Sequence, residues 1–149
     1  MPDSREIIPI GCDHAGLKIK EYLISGLKKE GYTISDFGVY SEIPSDYPDI
    51  AHKVAKAVNE DLNKTAILIC GSGNGMAIVA NKYLKIRAAL CWNEEIALLA
   101  RKHNDANILV LPGRLLDPEE ALKITLTFLA SGFEGGRHIP RIEKITHLL

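Results

Sequence analysis

An unbroken apolar run, Ala66-Ile67-Leu68-Ile69-Cys70, stops abruptly at the glycine-rich stretch Gly71-Ser72-Gly73-Asn74-Gly75. A short run that is apolar at every position reads as a strand covered on both faces, the condition of a central strand in a parallel sheet. A helix-length stretch, Met76 to Lys82, follows the glycines, and the same order recurs along the chain. Ile7 to Gly11 reads as a first strand, slightly weakened by Pro9. Ala15 to Glu30 reads as a helix with Ile19, Tyr22, Leu23 and Leu27 on one face. Tyr32 to Phe37 is a second strand, Gly38 to Tyr47 a loop, and Pro48 to Asn59 a helix opened by proline. Ile86 to Cys91 and Ile108 to Leu111 are the fourth and fifth strands. Between them, Glu94 to His103 carries acidic residues in its first turn and basic ones in its last, as the helix dipole favours. Asp117 caps a helix with Pro118 just inside it, running to about Gly132. Residues 133–149 form a basic tail closing in a short helix. Strands alternating with helices, joined by right-handed crossovers, predict a Rossmann-like three-layer α/β/α sandwich. Its sheet is parallel and five-stranded, with a C-terminal helical tail.

The 149 residues suit one domain, 1–149, with no repeat or internal boundary. A net charge of −1 gives no global attraction to nucleic acid or to an acidic membrane. No apolar run is long enough to span a bilayer, and Met1 to Glu6 lacks the apolar stretch of a secretory signal. Three cysteines, Cys12, Cys70 and Cys91, form neither an even set nor a CxxC pair. Reduced thiols and a cytoplasmic location are therefore expected.

In such sheets ligands bind outside the carboxyl ends of the strands. Three segments fall there: Gly11-Cys12-Asp13-His14-Ala15-Gly16, Cys70 to Gly75, and Pro112-Gly113-Arg114. The Gly71–Gly75 loop joins a strand to a helix, so its backbone N–H groups can converge on a phosphate or on an oxyanion formed during reaction. The other reading is a plain tight turn. Two nucleotide motifs nearly fit and fail. A dinucleotide fingerprint needs glycine where Met76 stands, and a P-loop needs lysine where Leu17 stands. Cys70 is either a base or nucleophile favoured as thiolate by the helix N-terminus, or an inert buried thiol. Asp13 and His14 are candidate acid, base or phosphate contacts. His103 followed by Asn104 is a candidate site pair or merely a cap on the helix dipole. Arg137 and Arg141, four apart, share a face if helical and could clamp a phosphate; the alternative is a solvated basic tail.

Read together, GCDHAG at residue 11, ICGSGNGMAIVANK at residue 69, RKHND at residue 101 and EGGRHIPR at residue 134 resemble the type B ribose-5-phosphate isomerases. That family also includes galactose-6-phosphate and allose-6-phosphate isomerases. The resemblance implies cofactor-free aldose–ketose isomerisation of ribose 5-phosphate and ribulose 5-phosphate through an enediolate, a step of the pentose phosphate pathway. It implies neither metal nor organic cofactor, and a homodimer or dimer of dimers. It makes Cys70 the base, with Ser72, where a threonine often stands, as a proton shuttle. His103 assists ring opening and Asp13 and His14 contact substrate. Gly71, Ser72, Gly73, Asn74 and Gly75 stabilise the oxyanion, while Asn104, Arg114, Arg137 and Arg141 hold sugar and phosphate. A branch of the family places a glutamate base where this chain has Met76, so the thiol branch is the one resembled.

Six-carbon sugar phosphates are the nearest alternative substrates. A nucleotide-binding module and a thiol or metal site of Cys12, His14 and Cys70 are rivals of other kinds. One topological consequence follows. The helix from Glu94 to His103 leaves the sheet edge that carries Cys70 and must reach the opposite edge before the fifth strand begins. If both residues are catalytic, His103 comes from a neighbouring subunit and the site is shared.

Overall fold

A computed structural model describes residues 6–61 and 64–147. Five strands, β1 (Ile7–Cys12), β2 (Thr33–Asp36), β3 (Ala66–Cys70), β4 (Ala88–Leu90) and β5 (Ile108–Pro112), form one sheet in the order β2-β1-β3-β5-β4. Every pairing is parallel. The helices are α1 (Leu17–Lys29), α2 (Tyr47–Glu60), α3 (Asn74–Ala80), α4 (Glu94–Asn104), α5 (Pro118–Ala130) and α6 (Ile139–His147).

Alternation along the strands builds two cores. Ile8, Ile10, Cys12, Ile67, Ile69, Leu109 and Leu111 face one side, where Leu23 and Leu27 of α1, Ala97 of α4 and Phe128 of α5 cover them. Ala66, Leu68, Cys70, Ile108 and Val110 face the other, beneath Val54 and Val58 of α2 and Met76 of α3. β3 and β5 are wholly buried, as their unbroken apolar character requires.

Several boundaries differ from expectation for local reasons. A 3-10 turn, His14–Gly16, precedes α1, because the Asp13 carboxylate accepts from Ala15 N at 3.0 Å and Gly16 N at 3.2 Å. α3 begins at Asn74 rather than Met76, since Gly73 (φ 80°) supplies a left-handed N-cap. β4 is an edge strand and retains only the residues paired to β5. α5 opens on the expected Asp117 cap with Pro118 just inside it, and Glu120 completes a capping box.

The strand order reverses between β1 and β3. The helix after β1 packs on one face of the sheet and the helix after β3 on the other. A crevice therefore opens between the carboxyl ends of β1 and β3, where ligands bind in sheets of this kind.

Candidate active site

Asp13 and His14 leave β1 at this crevice. Asp13 is 7% exposed; its N–H donates to Ile69 O at 3.1 Å, tying it to β3. His14 is oriented by the loop before α2: Ser45 N donates to His14 Nδ1 at 3.1 Å, and His14 N donates to Ser45 Oγ at 3.3 Å. With Nδ1 accepting, the neutral ring carries its proton on Nε2, free to serve as a donor.

Cys70 ends β3 and is 4% exposed. Backbone N–H groups of Gly73, Gly75 and Met76 point at its sulfur and favour the thiolate. The net effect is nonetheless the reverse of the lowering expected at a helix N-terminus. Burial pushes the thiol above its ordinary 9.0, the N–H groups oppose it, and the Asp13 charge adds to the rise. Cys12 and Cys91 behave as inert core thiols, pushed by burial to about 11 and about 12. Cys12 and Cys70 face opposite cores, so the rival site of Cys12, His14 and Cys70 is not assembled.

Neighbouring segments hold the glycine loop. Gly113 N donates to Cys70 O at 2.7 Å and Arg114 N to Gly71 O at 3.0 Å. The Arg114 side chain lies along Gly71, where an added Cβ would come within 3.2 Å of Nη1. Ser72 Oγ accepts from Asn74 N at 3.3 Å. Tyr47, in the first turn of α2, packs on Gly75, so a side chain there would have to displace the ring. Tyr47 and Ser45 escape sequence reasoning because nothing local marks them; only the fold brings their loop to the crevice.

The remaining candidates gather elsewhere. His103 lies in the last turn of α4, just ahead of β5, at the amino edge of the sheet. Cys70 pairs with Pro112 at the carboxyl edge. The four steps from Ala66 to Cys70 alone span roughly 13 Å. A second cluster forms around His103. Its ring stacks on His138, centroids 4.4 Å apart and planes within 15°. His103, Asn104, His138, Arg141 and Ile142 line a common cavity of about 350 Å³. Arg137 and Arg141 both act on His138, which is held below its ordinary pKa by burial, then by His103 and the two arginines, against the pull of Glu134. Arg137 sits in a 3-10 turn and Arg141 in α6, so the pair straddles two elements rather than one helical face. His138 lies within the EGGRHIPR stretch, yet nothing local reveals that its ring meets His103.

The chain belongs to the Ribose/Galactose Isomerase family, whose model matches residues 8–145. Within that family it stands with the type B ribose-5-phosphate isomerases. It is 41% identical over 139 residues to ribose-5-phosphate isomerase B of Escherichia coli, covering 93% of each chain. The crystal structure of a Thermotoga maritima ribose 5-phosphate isomerase is 49% identical, with a TM-score of 0.91, covering 95% of this chain and 97% of that one. The Mycoplasma genitalium ribose-5-phosphate isomerase B with bound ribulose 5-phosphate is 41% identical, with a TM-score of 0.92, covering 97% and 96%. Among the described residues no helix is long and apolar enough to cross a membrane.

Proposed function

We propose that this chain interconverts ribose 5-phosphate and ribulose 5-phosphate in the pentose phosphate pathway of the cytoplasm, with active sites shared across a homodimer or dimer of dimers. The observation that carries the site is the Cys70 sulfur beneath the N–H groups of Gly73, Gly75 and Met76, close to the Asp13 carboxylate. In the open-chain aldose, the Cys70 thiolate takes the proton from C2 while O1 gains one from the Ser72 hydroxyl. The developing enediolate needs preorganised donors, which the loop N–H groups and the Ser72 hydroxyl supply. The thiol then returns its proton to C1 as the C2 hydroxyl passes its own back to the Ser72 oxygen, giving the ketose and restoring both groups. Electrons move only within the substrate, so the balance closes without an oxidant, a metal or an organic cofactor.

His103 opens the sugar ring, and Asn104, Arg137 and Arg141 hold sugar and phosphate, arriving from the neighbouring subunit. Arg114 and His14 complete the phosphate and hydroxyl contacts from the first chain. Phosphate binding is remote from C1 and C2, so its energy positions the reacting carbons. The test is turnover of ribose 5-phosphate beside allose 6-phosphate and galactose 6-phosphate, with ribulose 5-phosphate run in reverse. A higher kcat/KM for either hexose phosphate would reassign the substrate.

A further inference from the structure

The His103 side chain is 35% exposed, and among the described residues neither of its ring nitrogens makes a hydrogen bond. What bears on the ring comes from a single turn. Glu134 N donates to Lys102 O at 3.1 Å, tying that turn to the end of α4. Gly135 (φ 68°) and Gly136 (φ 57°) then fold the chain back, and His138 N closes on Gly135 O at 3.1 Å. The turn sets the His138 ring flat against His103, with centroids 4.4 Å apart and planes within 15°. The His138 side chain is only 8% exposed, so the inner ring is the fixed one and the outer ring rests on it. Glu134 Oε2 stands 3.9 Å from His103 Nε2 and 3.7 Å from His138 Nε2, too far for a hydrogen bond but near enough to attract a charge on either ring.

Opening of the sugar ring makes a geometric demand on His103. The neutral imidazole takes the O1 proton, the C1–O4 bond breaks as the C1–O1 double bond forms, and O4 takes the proton back from the imidazolium. Both oxygens sit on C1, so one imidazole edge must face that carbon throughout, and misplacement by about 1 Å can cost about 10²-fold in rate. We propose that His138 is a positioning residue for His103: its buried ring is the platform that fixes the plane of the His103 imidazole and supports it while charged. The inference rests on the reading of His103 as the ring-opening group. A stacked pair serves this purpose only if the inner ring stays neutral, since two imidazoliums face to face repel. Burial, then His103, Arg137 and Arg141, hold His138 below its ordinary range against the pull of Glu134. The π face of a neutral ring attracts a cation lying over it. Glu134, shared with Lys102 at 3.8 Å, supplies the countercharge at the edge of the stack.

The test is turnover of ribose 5-phosphate by the full-length protein, together with the NMR signal of the His103 Cε1–H, assigned by its loss in His103→Ala. His138→Ala should lower kcat about tenfold or more and leave KM within about threefold. The His103 signal should then lose the upfield displacement that a stacked ring imposes. His138→Phe keeps a flat, neutral ring and should restore most of the rate and the displacement. His138→Asn keeps a polar group without the ring and should restore neither. His103→Ala combined with His138→Ala should be no slower than His103→Ala alone, because His138 acts only through His103. Additive losses, a loss confined to KM, a His103 signal unmoved in His138→Ala, or His138→Phe no better than His138→Asn would each overturn the platform. Near-normal kcat in His103→Ala is a different failure: it would remove His103 from the reaction and the inference with it.

Discussion

The Tyr47 ring closes over Gly75: a Cβ built on that glycine would stand 2.6 Å from two of the ring carbons. The contact couples the first turn of α2 to the loop that surrounds Cys70. Because Tyr47 is 40% exposed, its ring has room to swing outward. Gly75→Ala should therefore cost little stability, about 1 kcal/mol or less, while raising KM through displacement of Tyr47. Tyr47→Ala should raise KM as well, and the double variant should be no worse than Tyr47→Ala alone. Additive effects of the two changes would show that Gly75 acts independently of the ring.

Cys70→Ala should lower kcat by about 10²–10⁴, the usual worth of a positioned acid–base group, with substrate binding retained. The pH dependence follows from the raised thiol. The reactive form is the thiolate, so its fraction is small at neutrality and grows until pH exceeds 9.0. Iodoacetamide should alkylate Cys70 about tenfold faster for each pH unit between 7 and 8.5, and alkylation should abolish activity. A rate already level at pH 7 would mean that subunit assembly lowers the thiol below its range in the single chain.

The fold was legible because its strands are marked by composition. β3 and β5 are apolar at every residue, and burial on both faces permits little else. Asp117 and Pro118 announced α5 through cap chemistry that operates locally. The crevice residues Cys70, Asp13 and His14 were legible because Cys70 ends a strand, Asp13 and His14 directly follow one, and topology sends strand ends to one edge. Tyr47, Ser45, Glu134 and His138 were not, since each meets a residue distant in sequence: Gly75, His14 and, for the last two, His103. The sign of the Cys70 shift was also hidden. Loop N–H groups are visible in a glycine pattern, whereas the desolvation that outweighs them belongs to the packed core.

Lys20 is 1% exposed, and its ammonium donates to Asp36 Oδ1 at 2.7 Å and to Val39 O. It pins the segment after β2 across the carboxyl edge of the sheet. Lys20→Met fills the space but removes the ammonium from both oxygens, leaving Asp36 Oδ1 with only the Gly38 N–H at 2.9 Å and Val39 O with only the Cys12 thiol at 3.9 Å. Breaking a fully buried pair costs about 3–5 kcal/mol. Asp36 is 33% exposed and keeps some hydration, so about 2–3 kcal/mol is expected from urea unfolding. Lys20→Met with Asp36→Asn should cost less than the sum of the two single changes.

Cys12 and Cys91 link stability to alkaline pH. Both titrate higher when folded, at about 11 and about 12, than the ordinary 9.0. The unfolded chain then releases these protons first. Their contribution is complete below pH 9 and is lost as pH rises toward 11 for Cys12 and 12 for Cys91. Each thiol adds a slope of up to about 1.4 kcal/mol per pH unit within its window. Cys91→Ala should be less stable at pH 8, yet its stability should decline less steeply between pH 9 and 10.5. Parallel declines in urea unfolding would remove Cys91 as a source of the slope.

Separation of the two clusters leads to a subunit-mixing prediction. Cys70 lies at the carboxyl edge of the sheet and His103 ahead of β5 at the amino edge, with β3 and β5 in register between them. A pentose phosphate cannot bridge the strand length that separates the two edges of one chain's sheet, so one chain's Cys70 must work with another chain's His103 if both serve one reaction. Cys70→Ala and His103→Ala should each be nearly inactive as pure proteins. Unfolded together and refolded as mixed dimers, they place both lesions in one site and neither in the other. Activity should return to about one working site per mixed dimer, with a KM like that of the unaltered enzyme. The same experiment with Cys70→Ala and Asp13→Ala should give no recovery, because those two side chains stand at the same crevice and every site would carry a lesion. Mixed dimers of the first kind that remain as inactive as their parents would place Cys70 and His103 in the same chain's site.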